Sequence, residues 1–106
     1  MGFFSDDSDQ ARACYTVENE QPHEAHWSHE LIAGAAAYEA QKAYMDHKEK
    51  NGAPQDHQQA KQLMAGFAAA AADRIIETKG LDFVDKERAK HEAKRQAEEV
   101  VSVDVY

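Results

Sequence analysis

Leu31-Ile32-Ala33-Gly34 returns 32 residues further on as Leu63-Met64-Ala65-Gly66, and a run of alanines follows each glycine. The stretches Ser28–Tyr44 and Ala60–Ile76 read as altered copies of one unit. A unit that recurs at this spacing implies two similar helices packed against each other. Glycine inside a helix costs about 1 kcal/mol relative to alanine, so Gly34 and Gly66 need an offsetting gain. Their alanine neighbours suggest what it is: two helix backbones in close approach. The plain reading is packing within one bundle; the sharper one is an Ala/Gly face used for dimerisation. Gly34, Ala35, Gly66, Phe67 and Ala70 are the candidate packing and interaction residues.

Around this pair the chain divides into a single helical domain over residues 1–106. Residues 1–21 form an N-terminal segment in which Ser5 can cap a short helix, with Asp6 and Asp7 favourably placed in its first turn. Ala11, Cys14, Tyr15 and Val17 would give that helix a thin apolar face. The first main helix is expected over 22–50, with Pro22 in its first turn and a stop at Asn51-Gly52. Its apolar stripe is Trp27, Leu31, Ala35, Tyr38 and Met45, with Ile32, Ala36, Ala40 and Tyr44 beside it. Ser28, itself a good N-cap, offers a later start that would leave the preceding histidines in a loop.

Asp56 and Gln59 resemble a capping box at the head of a second helix over 56–79, which ends before Gly80. Asp82 or Asp85 caps a third helix over 83–101, whose apolar stripe is only Ala89, Ala93, Ala97 and Val100. Residues 102–106 read as a loose tail. The expected fold class is all-α: a small antiparallel bundle of three long helices with a short N-terminal helix or segment docked on it.

Charge narrows the functional classes. The net charge is −8, and residues 1–30 hold seven acids against Arg12 alone. Nucleic-acid and anionic-membrane partners are disfavoured, because both recognise clustered Lys and Arg. One cysteine, Cys14, rules out a disulfide within the chain and fits a reducing compartment. The longest apolar run, Leu63–Ala72, is ten residues, about half a membrane span. With Asp6 and Asp7 directly after Phe3-Phe4, no signal peptide is expected. The expected location is the cytoplasm, with the nucleus open to a protein of this size.

His23, His26 and His29 recur at spacings of three, so neighbouring pairs share a face on a continuous helix. Such a pair could offer two imidazoles to Zn, Cu, Ni or Fe, with Glu30 or, across the bundle, His91 completing the site. Histidines without a cysteine or a repeated spacing are more often polar surface, so the expectation is no cofactor, with the metal site as the alternative. Enzymatic activity is not expected. No phosphate loop, nucleophile elbow or nucleotide fingerprint is present, and Asp73-Arg74 reads as an ordinary edge-of-helix ion pair.

Several stretches carry a family likeness. Met1-Gly2-Phe3-Phe4-Ser5-Asp6-Asp7-Ser8-Asp9-Gln10-Ala11, Gln21-Pro22-His23 and Ser28-His29-Glu30-Leu31-Ile32-Ala33-Gly34-Ala35-Ala36 resemble the CipC-like family of fungal antibiotic-response proteins. So do Lys50-Asn51-Gly52, Ala65-Gly66-Phe67-Ala68, Thr78-Lys79-Gly80-Leu81-Asp82-Phe83-Val84-Asp85-Lys86 and Ala89-Lys90-His91. The family is named for induction of a member by an antibiotic, and its function is uncharacterised. The resemblance implies a fungal, intracellular, stress- or antibiotic-responsive protein, and it transfers no catalytic residues. The expected role is non-enzymatic, through self-association as a homo-oligomer or binding of an unknown protein partner. The alternative is a metal- or small-ligand-binding bundle.

Overall fold

Each helix begins where a short polar side chain can satisfy the free N–H groups of a first turn. A computed structural model of the chain describes residues 8–19, 28–80 and 85–101. They form α1 (Asp9–Asn19), α2 (His29–Asn51), α3 (His57–Lys79) and α4 (Lys86–Glu99), and no strand occurs among the described residues. Among them, too, no helix is long and apolar enough to cross a membrane.

Ser8 caps α1: its Oγ accepts from the Ala11 N–H at 3.1 Å. Ser5 to Asp7 lie outside the described residues. Ser28 caps α2, accepting from the Leu31 N–H at 3.1 Å with its own backbone extended (φ −103°, ψ 169°). That extended residue stops α2 from continuing back toward Pro22; residues 22–27 lie outside the described residues. Asp56 caps α3 through the Gln59 N–H at 2.8 Å. The reciprocal half of this capping box reaches one residue further back, with Gln55 N–H donating to Gln59 Oε1 at 2.7 Å. Asp85 caps α4 through the Arg88 N–H at 3.2 Å.

Gly52 and Gly80 close α2 and α3 at φ 83° and φ 65°, a region where a side chain would be strained. Removing one N-cap acceptor leaves a donor unsatisfied, so Ser28→Ala is expected to destabilise the protein by about 1 kcal/mol. Urea unfolding of the variant measures it, and Ser28→Asp should restore most of the loss.

α2 lies at the centre and touches α1, α3 and α4. Ile32 to Ala37 are buried one after another, so every side of this segment meets protein. The small residues Ala33 to Ala37 allow that, since three helices cannot crowd one backbone through long side chains at every position. Ile32, Ala35, Ala36, Ala40 and Tyr44 are all wholly buried, while Leu31, Tyr38 and Met45 are only partly covered. Of the expected stripe, Ala35 is buried as fully as the residues beside it, and Trp27 lies outside the described residues. The largest fully buried side chains are Tyr44, Ile32 and Met64.

α3 buries Met64, Ala68, Ala72 and Ile75 among others, and α4 buries Ala89, Ala93 and Ala97. Val101, just past α4, is buried more fully than Val100. On α1, Ala13, Cys14 and Val17 face inward, whereas Tyr15 is 67 % exposed and does not belong to the expected apolar face.

Two histidines tie the ends together with opposite ring roles. His29 Nε2 accepts from the Asp85 N–H at 3.1 Å, joining the starts of α2 and α4. His57 Nε2 lies 2.8 Å from the Val101 carbonyl and must donate to it, joining the start of α3 to the end of α4. α1 passes across α2, with Gln10 Nε2 donating to Gln96 Oε1 of α4 at 3.0 Å. Further along, Val17 lies beside Arg74, Ile75 and Thr78 of α3.

The two glycines of the repeat have different surroundings. A Cβ on Gly34 would sit 3.1 Å from the Ala13 Cβ, so its close approach is to α1 and not to α3. A Cβ on Gly66 would meet nothing within 4 Å, and the residue is exposed. Packing of α2 on α3 through the glycine pair is therefore not made. The reason is positional: α2 is enclosed by three helices, while α3 keeps one side on the surface. Gly66→Ala removes backbone freedom without a clash, so it is expected to stabilise the monomer by up to about 1 kcal/mol. A lower melting temperature at high dilution would contradict this placement.

Candidate functional site

Two surface features stand out, one on each flank of α4. On one flank the outer side of α3 exposes Gly66 and Ala70, with Ala69 half-buried beside them. Ala69 continues into a groove of about 390 Å³ between α3 and α4, lined also by Glu87, Lys90, His91 and Lys94. Next to this strip, half-buried Phe67 meets the His47 ring at 5.9 Å between centroids. Ala35, in contrast, is wholly buried in the α2 core and has no surface to offer a partner.

The rim of that face is charged. Asp73 Oδ1 lies 3.2 Å from Lys86 Nζ and Oδ2 lies 3.5 Å from Lys90 Nζ, bridging α3 to α4. Lys86 also reaches Glu77 at 3.3 Å. Partial desolvation pushes the Asp73 carboxyl up, but the hydrogen bonds and charges of Lys86 and Lys90 outweigh it and hold it below the usual 3.8. The bonds from Asp73 and Glu77 raise Lys86 above its usual 10.5. Asp73 and Arg74 do not pair with each other: Arg74 turns to Glu39, linking α3 to α2.

On the other flank, α1, α2 and α4 enclose an open polar cleft of about 700 Å³. Gln10, Arg12, Gly34, Glu92, Arg95 and Gln96 are among the residues that line it. Arg95 holds Glu92 and, at 2.7 Å, Glu99. The Arg95 bond keeps the Glu92 carboxyl below its usual 4.5, against the upward push of partial desolvation. The Gln10–Gln96 pair and Arg95 were not singled out from the sequence. Amides and an arginine within a charged run carry no distinguishing local pattern, and only the crossing of α1 over α2 brings them together.

These shifts fix the sign of the pH dependence. Asp73 and Glu92 titrate lower folded than unfolded, so their contribution is present above the unfolded values and fades as pH falls through the folded ones. Urea midpoints should therefore decline as the pH drops below about 4.5. Asp73→Asn should flatten part of that decline, and an identical decline in the variant would contradict its share. Lys86 acts in reverse: its contribution holds below 10.5 and is lost as pH rises through its higher folded value.

Among the described residues, the expected metal ligands His29, Glu30 and His91 are not gathered at one point. His23 and His26 lie outside the described residues. Because Ser28 is extended, His29 does not continue a helix running back from it, which removes the shared-face argument for His26 with His29. The His29 ring is engaged with Asp85, Glu30 lies exposed beside the polar cleft, and His91 is exposed in the α3–α4 groove. Among the described residues no group of three His, Cys, Asp or Glu side chains could hold a metal ion. Cys14 is buried on α1.

The structure is that of a small all-helical domain built around one enclosed, alanine-rich helix. The profile of a family of domains of unknown function, described as Virulence factor CipC-like, matches residues 13–104, and the chain belongs to that family. No curated protein and no solved structure matches it.

Proposed function

We propose that this chain acts by binding rather than catalysis, as an intracellular fungal protein of the stress or antibiotic response. Its contact surface is the Gly66–Ala70 side of α3, and its first partner is a second copy of itself. The scaffold is read as an antiparallel bundle of α2, α3 and α4 with α1 docked across it. One observation carries the reading: a helix-interior glycine stands exposed where nothing within 4 Å uses its missing side chain. Glycine there destabilises the monomer, and its benefit would come when another backbone approaches closely. The adjoining groove makes the face concave, and charged side chains on α3 and α4 rim it, as a polar rim surrounds an apolar interface core.

A pair of substitutions tests this. Gly66→Ala and Gly66→Leu both leave the monomer's own packing untouched, since the position is open. Self-association should weaken modestly in the first and be lost in the second, while the melting temperature of the dilute monomer does not fall. Equal self-association in wild type and Gly66→Leu, read by sedimentation over a range of concentrations, would overturn the proposal.

A further inference from the structure

α1 is the shortest of the four helices and packs chiefly on α2, whereas α2, α3 and α4 each pack on at least two others. At 11 residues it is shorter than the roughly 12–15 that a helix needs to persist on its own, so its order depends on docking. Its inward side chains are Ala13, Cys14 and Val17, a set comparable to the three buried alanines of α4 and much smaller than α3 contributes. Beneath it lies Gly34, so no large side chain of α2 locks into α1 at the closest approach. A neutral amide pair, Gln10–Gln96, ties it to α4. The Arg12–Asp9 pair, at 3.9 Å, lies within α1 itself and adds nothing to docking.

The remaining helices pack on one another and are also joined by ion pairs. Glu39–Arg74 links α2 to α3, and Asp73 links α3 to both Lys86 and Lys90 of α4. The two histidine bonds close the ends. Ile32, Tyr44 and Met64 supply the large buried side chains of this body.

We propose that α1 is a strap that opens as a unit while α2, α3 and α4 stay folded, uncovering the Gly34 face of α2. Such sub-global opening takes the elements with the fewest buried contacts first. It rests on a different surface from the α3 strip and does not depend on self-association. Cys14 reports it, because the thiol is 3 % exposed and lies on the inner side of the strap itself. Opening α1 frees the thiol whether or not the body unfolds.

The experiment is labelling of the intact chain by a thiol reagent, 5,5′-dithiobis(2-nitrobenzoate), in native buffer, with two substitutions as controls. Val17→Ala thins the strap's anchor and should speed labelling roughly tenfold with little change in the main melting transition. Met64→Ala weakens the body and should lower the melting temperature while leaving the native labelling rate unchanged. If Cys14 were freed only by global unfolding, Met64→Ala would accelerate labelling in proportion to its lost stability. That outcome, or labelling of the wild type no faster than its global unfolding equilibrium permits, overturns the strap.

Discussion

Ile32→Ala should lower the free energy of unfolding by about 2–5 kcal/mol, toward the upper end of that range. Ile32 is 0 % exposed and sits on the helix that touches all three others. Its buried neighbours along α2, Ala33, Ala35 and Ala36, have no side-chain atoms that can swing into the space left behind. A core that cannot collapse keeps its cavity, and the cavity adds to the transfer loss. Domains of this size have only about 5–15 kcal/mol to lose, so the variant should be partly unfolded in mild urea. The midpoint should fall with an unchanged slope. Leu31→Ala, one residue earlier but only partly buried, should lose clearly less. Equal losses at the two positions would mean that the burial of α2 is not as described.

Gly34→Leu should separate α1 from the rest of the fold. Even an alanine there would place its Cβ 3.1 Å from the Ala13 Cβ, so the neighbour must give by a few tenths of an ångström. Leucine adds three further carbons along that direction, and overpacking of this kind costs about 1–3 kcal/mol or more. Because α1 is the shortest helix and packs chiefly on α2, the cheapest relief is to undock it rather than to distort α2. The expected result is a helical signal reduced by about the 11 residues of α1, with a melting transition for the body retained. Shortening the opposing contact by Ala13→Gly should recover part of the lost signal. A variant that keeps full helicity would show that α1 does not lie against Gly34.

How much of this was legible in the sequence depends on the kind of signal. Caps are local, so Asp56 with Gln59, Asp85 before α4, and Gly52 and Gly80 at the ends could be read from side-chain chemistry alone. Ser28 was visible as a cap too, but Pro22 offered an equally local start, and nothing nearby decides between them. The sparse apolar stripe Ala89–Ala93–Ala97 was readable because the charges around it leave no other face.

Neighbours across the fold were not readable in this way. Gly34 and Gly66 are equivalent in the repeat, yet one is roofed by α1 and the other faces outward. Equivalence in sequence gives equal helices, but which helix is enclosed depends on how many others pack on it. Alanine made this worse, because a run such as Ala35–Ala36–Ala37 is compatible with any face being inward, so periodicity gives no bearing. The same limit applies to Asp73-Arg74, adjacent in sequence but turned to Lys86 and Lys90 on one side and to Glu39 on the other. The histidine spacing was a local pattern as well: α2 begins only after Ser28 and the Asp85 N–H engages the His29 ring, while His23 and His26 lie outside the described residues.

The exposed glycine of α3 gives the sharpest point of attack on the binding proposal. The deciding measurement is the native mass of the wild type and of Gly66→Leu, followed from submicromolar to high micromolar concentration. Self-association through the Gly66–Ala70 side of α3 predicts that the wild type rises from the 11.8 kDa monomer to twice that mass, while Gly66→Leu stays monomeric. A wild type that remains at 11.8 kDa throughout, or a dimer that Gly66→Leu leaves intact, would contradict it.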